Sequence, residues 1–297
     1  MFPADFDYVV PRSVDEAVAM LVHYGDDAKV LAGGQSLIPM MKLRIASPRV
    51  LIDVNGIAEL AGLRRDGDRL VLGALCRHAD VAASPLVREH LPLMHDAAQL
   101  TADVQVRNRG TVAGSLAHAD PAGDWPAALL ALDTHVTVAG PDGTRTVPLA
   151  AFLVDAYTTQ LGANELITQV AVGIPPGRTG GAYAKFERRA GDFAVASAGV
   201  QVTLDEAGRC AAVAISCGAV APSPFRARAA EAMLAGQALS EDLLAQAEHA
   251  VRDEASPFAD TRGSVEYKRH LAGVLVRRAC VAALARARGE RVDTLHL

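Results

Sequence analysis

Two glycine-rich segments, AGGQS at 32–36 and GTVAGS at 110–115, constrain the fold of this chain more than any other feature. The first directly follows AKVL, a run typical of a short buried strand. Glycines allow a positive φ and let backbone N–H groups lie against a ligand. Clustered N–H donors beside a hydroxyl or an amide form a concave site that suits phosphate oxygens. The two segments therefore indicate an α/β region that could hold a pyrophosphate-containing cofactor.

Neither segment matches the sequence patterns of a P-loop or of a Rossmann dinucleotide site. The second continues into TVAGSLAHADPAGDWP, residues 111–126, which stay small and polar up to a tryptophan. This stretch is either a solvated loop or a backbone surface that a ligand approaches closely. Asp124 could accept hydrogen bonds from sugar or polyol hydroxyls, or could cap the apolar helix that follows. His118 and Asp120 lie close together, but no serine or cysteine nucleophile motif accompanies them, so no catalytic triad is predicted.

Periodicity predicts the elements of the first half of the chain. Ser13 and Glu16 fit a capping box at the start of a helix that ends at Gly25. Further strands and helices follow: strands at 28–34, 49–54, 69–75 and 165–175, a proline-interrupted helical region at 85–100, a helix at 124–132 and a hairpin at 135–149.

Proline and glycine punctuate the chain at 175–177 and again at Gly180 and Gly181, which predicts a domain boundary. The expected domains are 1–177, with subdomains of about 1–56 and 57–177, and 178–297. In the second domain, strands near 182–190, 194–204 and 210–219 precede helices, an α+β arrangement. Three basic residues fall on the first of these strands, where solvated charges are the default expectation: Lys185, Arg188 and Arg189. Lys185 and Phe193 also flank a polar turn that could face a pocket.

Charge and cysteine usage exclude several classes of protein. The formal net charge is −5 and no run of Lys or Arg is present, so nucleic-acid binding is not expected. The four cysteines are dispersed, which indicates buried small side chains in a reducing cytoplasm rather than disulfides or metal ligands. The N-terminal sequence does not fit a signal peptide, and no apolar run is long enough for a transmembrane helix.

Three stretches in order carry a resemblance to a known family: LAGGQSLIPMMKLR, RNRGTVAGSLAHADPAGDWPAALLAL and YAKFERRAGDFAVA. They resemble the FAD-binding medium subunit of the molybdenum hydroxylases, the carbon monoxide dehydrogenase/xanthine dehydrogenase family. Length, order and spacing agree over essentially the whole chain. The resemblance implies an α+β fold, in which an FAD-binding region of two α/β subdomains precedes a C-terminal domain with a three-stranded antiparallel sheet and helices.

The resemblance also implies cofactor-binding residues, and no catalytic residue or metal ligand. The pyrophosphate would lie between two walls, formed by Ala32, Gly33, Gly34, Gln35 and Ser36 on one side and by Thr111, Ala113, Gly114 and Ser115 on the other. Asp124 would bind a cofactor hydroxyl, Ile167 and Lys185 would line the flavin site, and Phe193 would lie beside the isoalloxazine.

Two positions depart from the family pattern. Ala113 stands where a second glycine is frequent, so a positive φ there would cost about 1 kcal/mol, which binding should tolerate. Phe193 stands where a tyrosine is frequent, so a role for a phenolic hydroxyl is lost while stacking or shielding would survive.

The implied function is electron transfer, from a substrate oxidised at molybdenum, through two [2Fe–2S] clusters and FAD, to an external acceptor. Such clusters need closely spaced cysteines, so they and the molybdenum cofactor would reside on a small and a large partner subunit, in a dimer of heterotrimers. Two alternatives stay open: a self-sufficient FAD-dependent oxidase or reductase, and a scaffold subunit that has lost flavin.

Overall fold

The structure is a computed structural model that describes residues 2–296. Its strands are β1 (Asp7–Val9), β2 (Ala28–Leu31), β3 (Val50–Asp53), β4 (Leu63–Asp66), β5 (Arg69–Gly73), β6 (Thr134–Gly140), β7 (Gly143–Pro148), β8 (Leu153–Asp155), β9 (Thr158–Thr159), β10 (Leu166–Gly173), β11 (Arg178–Phe186), β12 (Ala196–Leu204), β13 (Cys210–Gly218), β14 (Phe225–Arg226) and β15 (Leu295–His296). Its helices are α1 (Val14–Tyr24), α2 (Leu37–Lys42), α3 (His78–Ala83), α4 (Pro85–His90), α5 (Pro92–Leu100), α6 (Val104–Arg107), α7 (Val112–His118), α8 (Asp124–Leu130), α9 (Leu149–Phe152), α10 (Arg228–Leu234), α11 (Glu241–Glu254) and α12 (Val265–Ala287).

The first unit is a small parallel sheet with strand order β1-β3-β2. Its central strand is apolar and buried at Val50, Leu51 and Ile52, as expected for a parallel strand. The predicted capping box begins α1, where the Ser13 hydroxyl accepts a hydrogen bond from the Glu16 N–H at 3.1 Å. The first glycine segment, 32–36, joins β2 to α2 and so lies at the carboxyl end of a sheet strand.

The second unit is an antiparallel sheet of order β4-β5-β10-β6-β7, with the predicted hairpin as β6 and β7. Helices α3 to α8 all lie between β5 and β6 in the chain. The predicted proline interruption separates α4 from α5 at Pro92. The second glycine segment differs from its prediction, because it is the start of a helix rather than a loop: Thr111 is the N-cap of α7.

The third unit has the predicted three-stranded antiparallel sheet at its centre, β11 to β13, extended at its edges by the two-residue strands β14 and β15. Helix α12 packs across β11 and β12. Gly180 and Gly181 lie inside β11 and do not form part of a linker. A Cβ on Gly180 would overlap the carbonyl oxygen of Ala283, so its role is the close approach of α12 to the sheet.

The predicted strand at 182–190 also ends earlier than expected. Strand β11 stops at Phe186, and Arg188 and Arg189 are exposed in the turn that follows. The expectation of solvated charge holds for these two residues but is wrong for Lys185, whose side chain is 1% exposed. The reason is an ion pair with the first half of the chain, described below.

A buried network joins the first two units to the third. The Asp96 carboxylate, on α5, accepts hydrogen bonds from Arg286 at 2.6 Å and from Thr294 at 2.8 Å. It also accepts from the backbone N–H of Tyr183 at 3.2 Å, and the Tyr183 side chain belongs to the apolar core of the first half. The predicted boundary near 177 falls between β10 and β11. The buried apolar side chains form one cluster before it and a second after it, and Tyr183 crosses from the second half into the first cluster.

Within residues 2–296, no helix combines the length and apolar character that crossing a bilayer requires.

Candidate functional site

A cavity of about 810 Å³ lies where the first unit meets the second, and both glycine segments line it. Most of the residues implied by the family resemblance contribute to its wall: Ala32, Gly33, Gly34, Gln35, Ser36, Thr111, Ala113, Gly114, Ser115 and Ile167. Segments that are far apart in sequence therefore meet at one site, as the resemblance requires.

Residues 32–36 present backbone donors to this cavity. Within the described residues, 2–296, no backbone or side-chain acceptor takes the N–H groups of residues 33 to 36. Gly34 adopts a φ of 71°, a conformation that strongly favours glycine. The Asn55 side chain holds the loop from behind by donating to the Ala32 carbonyl oxygen at 2.8 Å. Free donors on a fixed backbone are suited to anionic oxygens.

The two glycine segments touch through Gly33. A Cβ at that position would overlap the carbonyl oxygen of Arg109 and would lie 2.7 Å from the Cα of Gly110. Both obstacles are backbone atoms, so a side chain here would force the two walls apart. The glycine at 33 is thus required by the contact between the walls, whereas the glycine at 34 is required by its own φ.

The opposing wall is the first turn of α7. The Thr111 hydroxyl caps this turn by accepting from the Gly114 N–H at 3.0 Å. Ala113 is a regular helical residue and is not among the residues with positive φ, so the expected strain at this position does not arise. An alanine suits a helical position better than a glycine.

His78 lies in the cavity wall and was not predicted from the sequence. It is 4% exposed, and its ring stacks on Trp125 with centroids 5.5 Å apart and planes at 21°. Burial, with a smaller effect of Arg107, lowers the pKa of His78 to about 4. Its Nδ1 is buried and without a partner among the described residues. A single histidine in an apolar run gives no sequence signal for this position.

Asp124 and Lys185 are brought together, but outside the cavity wall. Lys185 Nζ lies 3.2 Å from Asp124 Oδ2, 3.0 Å from Glu187 Oε2 and 3.0 Å from the Leu100 carbonyl oxygen. The Tyr183 hydroxyl donates to the other Asp124 oxygen at 2.9 Å. Burial raises the pKa of Asp124, and the Lys185 ammonium opposes that effect. Asp124 is the first residue of α8, and Gly123 is the cap.

Phe193 lines a second cavity, of about 450 Å³. Tyr157 belongs to the walls of both cavities, so the two spaces adjoin at that residue. The Phe193 ring is 46% exposed, and the Arg262 guanidinium carbon lies 6.0 Å from the ring centroid. No pattern in the sequence indicates Tyr157, which lies in the two-residue turn between β8 and β9 with a φ of 54°.

The four cysteines are buried and free, as predicted. Burial raises the pKa of the Cys76 and Cys280 thiols to about 12 and that of Cys210 to about 11. Over the part of the chain that the structure describes, no cluster of His, Cys, Asp or Glu side chains could hold a metal ion.

The main cavity fits an elongated cofactor that carries a pyrophosphate. Free N–H donors at residues 33–36 suit the phosphate oxygens. At Gly33 the two glycine segments are in backbone contact, with no side chain between them. Apolar side chains such as Leu166 and Ile167 also line this cavity. Such a surface suits an aromatic ring or a ribose edge more than a second charged group.

Two family models match the chain, and together they span nearly all of it. One describes the FAD binding domain in molybdopterin dehydrogenase and matches residues 4–175. The other describes the CO dehydrogenase flavoprotein C-terminal domain and matches residues 181–283.

Individual relatives extend over the full length. The carbon monoxide dehydrogenase medium chain of Hydrogenophaga pseudoflava is 43% identical over 96% of this chain and 99% of its own. The 6-hydroxypseudooxynicotine dehydrogenase complex subunit alpha of Paenarthrobacter nicotinovorans is 40% identical over 100% of both chains. A solved structure of carbon monoxide dehydrogenase from Hydrogenophaga pseudoflava, lacking the Mo-pyranopterin moiety, superposes with a TM-score of 0.94 at 45% identity, over 96% of this chain and 99% of that one.

Proposed function

This chain belongs to the family of FAD-binding medium subunits of the molybdenum hydroxylases, and on that premise we propose how it serves as their electron-transfer subunit. As a member of this family it is an oxidoreductase subunit with FAD as its own cofactor. Bound FAD supplies a two-electron carrier between the iron–sulfur clusters of a partner subunit and an external acceptor. The residues of this chain bind and orient that carrier.

We assign the pyrophosphate to the space between the two glycine segments. The observation that carries this assignment is the row of N–H groups at residues 33–36 that have no acceptor within the described chain. These residues are partly or fully exposed, so their donors are accessible to a ligand that accepts from them. Ser36, Thr111 and Ser115 add hydroxyl groups on either side of that space.

The other proposed contacts with the cofactor are supported by different observations. We propose that Ile167, which lines the main cavity, and Phe193, which lines the adjoining one, contact different parts of a long cofactor. For Asp124 and Lys185, a cofactor contact rests on the family resemblance alone, because their side chains lie in the buried network between the two halves of the chain. Through that network they hold α8 and β11 together behind the site.

The partners follow from the family. The relatives are medium chains or subunits of multi-subunit enzymes, so partner subunits carry the iron–sulfur clusters and the molybdenum cofactor. We further propose one small and one large partner in a dimer of heterotrimers, located in the cytoplasm. The free, buried cysteines suit a reducing compartment.

The substrate is set elsewhere. The relatives are named for carbon monoxide, glyceraldehyde and nicotine chemistry, although they share this fold and length. We therefore propose that the medium subunit takes no part in selecting the substrate, and that the large subunit selects it.

The test is purification of this chain alone and with the proteins that co-purify from its native source. The expected result is flavin absorption in both preparations, and molybdenum and iron only in the second. A yellow chain that turns over a substrate alone would instead identify a self-sufficient flavoenzyme. A colourless chain that cannot be reconstituted with FAD would identify a scaffold.

A further inference from the structure

We propose that His78 contacts the cofactor in the main cavity, and that its Nε2–H donates a hydrogen bond to a pyrophosphate oxygen of FAD. The proposal rests on the proposed function, which assigns the pyrophosphate to the space between the two glycine segments. It adds a side-chain donor beside the opposing wall, where the family resemblance implies only residues of the segment 111–115.

The His78 ring lies directly against the second glycine segment. A Cβ on Gly110 would be 2.7 Å from His78 Nε2 and 2.9 Å from its Cδ2, so the ring fills the space that a side chain at 110 would need. His78 lines the cavity together with Gly110 and Thr111. A proton on Nε2 is therefore held beside the wall assigned to the pyrophosphate.

Backbone hydrogen bonds fix His78 to this wall. Its N–H donates to the Gly110 carbonyl oxygen at 3.1 Å, and the Val112 N–H donates to the Cys76 carbonyl oxygen at 3.2 Å. Trp125 covers one face of the imidazole, with the ring centroids 5.5 Å apart. The position of the ring is thus set before a ligand binds, which lowers the entropic cost of a contact with it.

The two ring nitrogens of His78 have different surroundings. Nδ1 is buried, and no atom of residues 2–296 forms a hydrogen bond with it. Nε2 likewise has no partner in that range but, unlike Nδ1, it is not enclosed. A ligand in the cavity can therefore reach Nε2 and cannot reach Nδ1.

These surroundings select one tautomer of the neutral ring. Burial, with a smaller effect of Arg107, lowers the pKa of His78 to about 4, so at neutral pH the ring carries a single N–H. A proton on Nδ1 would be a buried donor without an acceptor, which is costly. A proton on Nε2 can be shared with a ligand. The cavity therefore meets an N–H donor at this position rather than a lone pair.

A donor at this position suits an anionic oxygen. The first wall presents the N–H groups of residues 33–36. On the opposing wall, the Thr111 hydroxyl is engaged in capping its own helix, where it accepts from the Gly114 N–H at 3.0 Å. The His78 Nε2–H gives that side of the cavity a donor, so phosphate oxygens between the walls would accept from both sides. Hydrogen bonds to a charged acceptor are about twice as strong as those between neutral groups.

The first test compares two amides at position 78 by FAD titration of the deflavinated full chain. The amide nitrogen of a glutamine extends about as far from the backbone as Nε2 of a histidine, whereas that of an asparagine extends only as far as Nδ1. Both variants place an amide in the same buried wall, so they share any general cost of the substitution. We expect His78→Gln to keep FAD affinity within about threefold of the wild-type value and His78→Asn to lose about tenfold. The control is His249→Asn, on an exposed position of α11, which should bind FAD as the wild type does.

The second test uses the wild-type chain and separates a cofactor contact from a purely structural role. Nitrogen NMR of isotope-labelled histidine should show the His78 proton on Nε2. That resonance should shift when ADP, which carries a pyrophosphate, is added at a concentration that competes with FAD. Adenosine, which has no pyrophosphate, should leave it in place, and the His249 resonance should respond to neither.

Equal FAD affinity in His78→Gln and His78→Asn would overturn the proposal, and so would a proton on Nδ1. An Nε2 resonance that ADP leaves unchanged would also overturn it, even if both variants fail to fold, because that measurement needs no variant. A wild-type chain that binds neither FAD nor ADP is a different result, which rejects the proposed function itself.

Discussion

Gly33 lies so close to the carbonyl oxygen of Arg109 that no side-chain atom fits between them. The two residues belong to different glycine segments, and their contact fixes the distance between the two walls of the cofactor cavity. Because the obstacle is backbone, a larger residue at 33 must move one wall.

Gly33→Ala should therefore weaken FAD binding. Overpacking of this kind costs about 1–3 kcal/mol, which corresponds to roughly a tenfold loss of affinity if it is expressed at the site. The measurement is FAD titration of the deflavinated protein, with circular dichroism to show that the variant folds. Gly56→Ala is the control, since a Cβ there would lie 3.9 Å from its nearest neighbour, Val10. Equal affinity in both variants would contradict the close-contact explanation.

Asp124→Asn should destabilise the protein more than it affects FAD. It leaves the buried Lys185 ammonium with Glu187 as its remaining acidic partner, and breaking a buried pair costs about 3 kcal/mol. The cost should shrink in the double variant with Lys185→Met, because the buried ammonium that Asp124 helps to neutralise is then absent. Chemical denaturation of Asp124→Asn, of Lys185→Met and of the double variant measures this.

The control for that experiment is Arg277→Met, which removes an exposed ion pair with Glu241 and should change stability little. The opposite pattern, normal stability with loss of FAD in Asp124→Asn, would show that Asp124 contacts the cofactor as the family resemblance implies.

His78 should make stability depend on pH. Its pKa is lowered from 6.5 to about 4 by burial, so the folded state favours the neutral ring. The unfolded chain therefore binds the proton first as pH falls below about 6.5, and stability declines until about pH 4. The full loss is roughly 3 kcal/mol. His78→Asn should remove that part of the decline in urea unfolding between pH 7 and 4, whereas His23→Gln, on an exposed part of α1, should retain it.

The cysteines should resist thiol reagents in the folded protein. Burial raises the thiol pKa of Cys76 and Cys280 to about 12, so the reactive thiolate is scarce at neutral pH. Ellman's reagent should modify no thiol in the native chain and all four in denaturant. Rapid modification of a native thiol would show that its segment opens.

The glycine segments could be predicted from the sequence because their requirement is local. The positive φ at Gly34 and the close backbone contact at Gly33 each require a glycine. That glycine is visible in the sequence itself. The helix cap at Ser13 was predictable for the same reason, since cap and helix are adjacent in the chain.

The pairing of Asp124 with Lys185 could not be predicted in this way. These residues are 61 positions apart, and each alone reads as a solvated charge or a helix cap. Gly180 was predicted to mark a domain boundary. A glycine inside a strand that lets a helix pack closely cannot be distinguished by sequence from a glycine in a linker. His78 and Tyr157 had no periodic signal, since their importance comes from the cavities that the fold creates around them.

The hydrogen bonds between Asp96 and Arg286 bear on how such subunits can be recombined. A chimaera that joins the first half of one relative to the second half of another at residue 177 would cut no secondary structure. It would, however, pair an α5 from one lineage with a β11 and α12 from another, and any mismatch would leave a buried charge. The natural unit of exchange is therefore the whole chain, which agrees with relatives that match this protein from end to end.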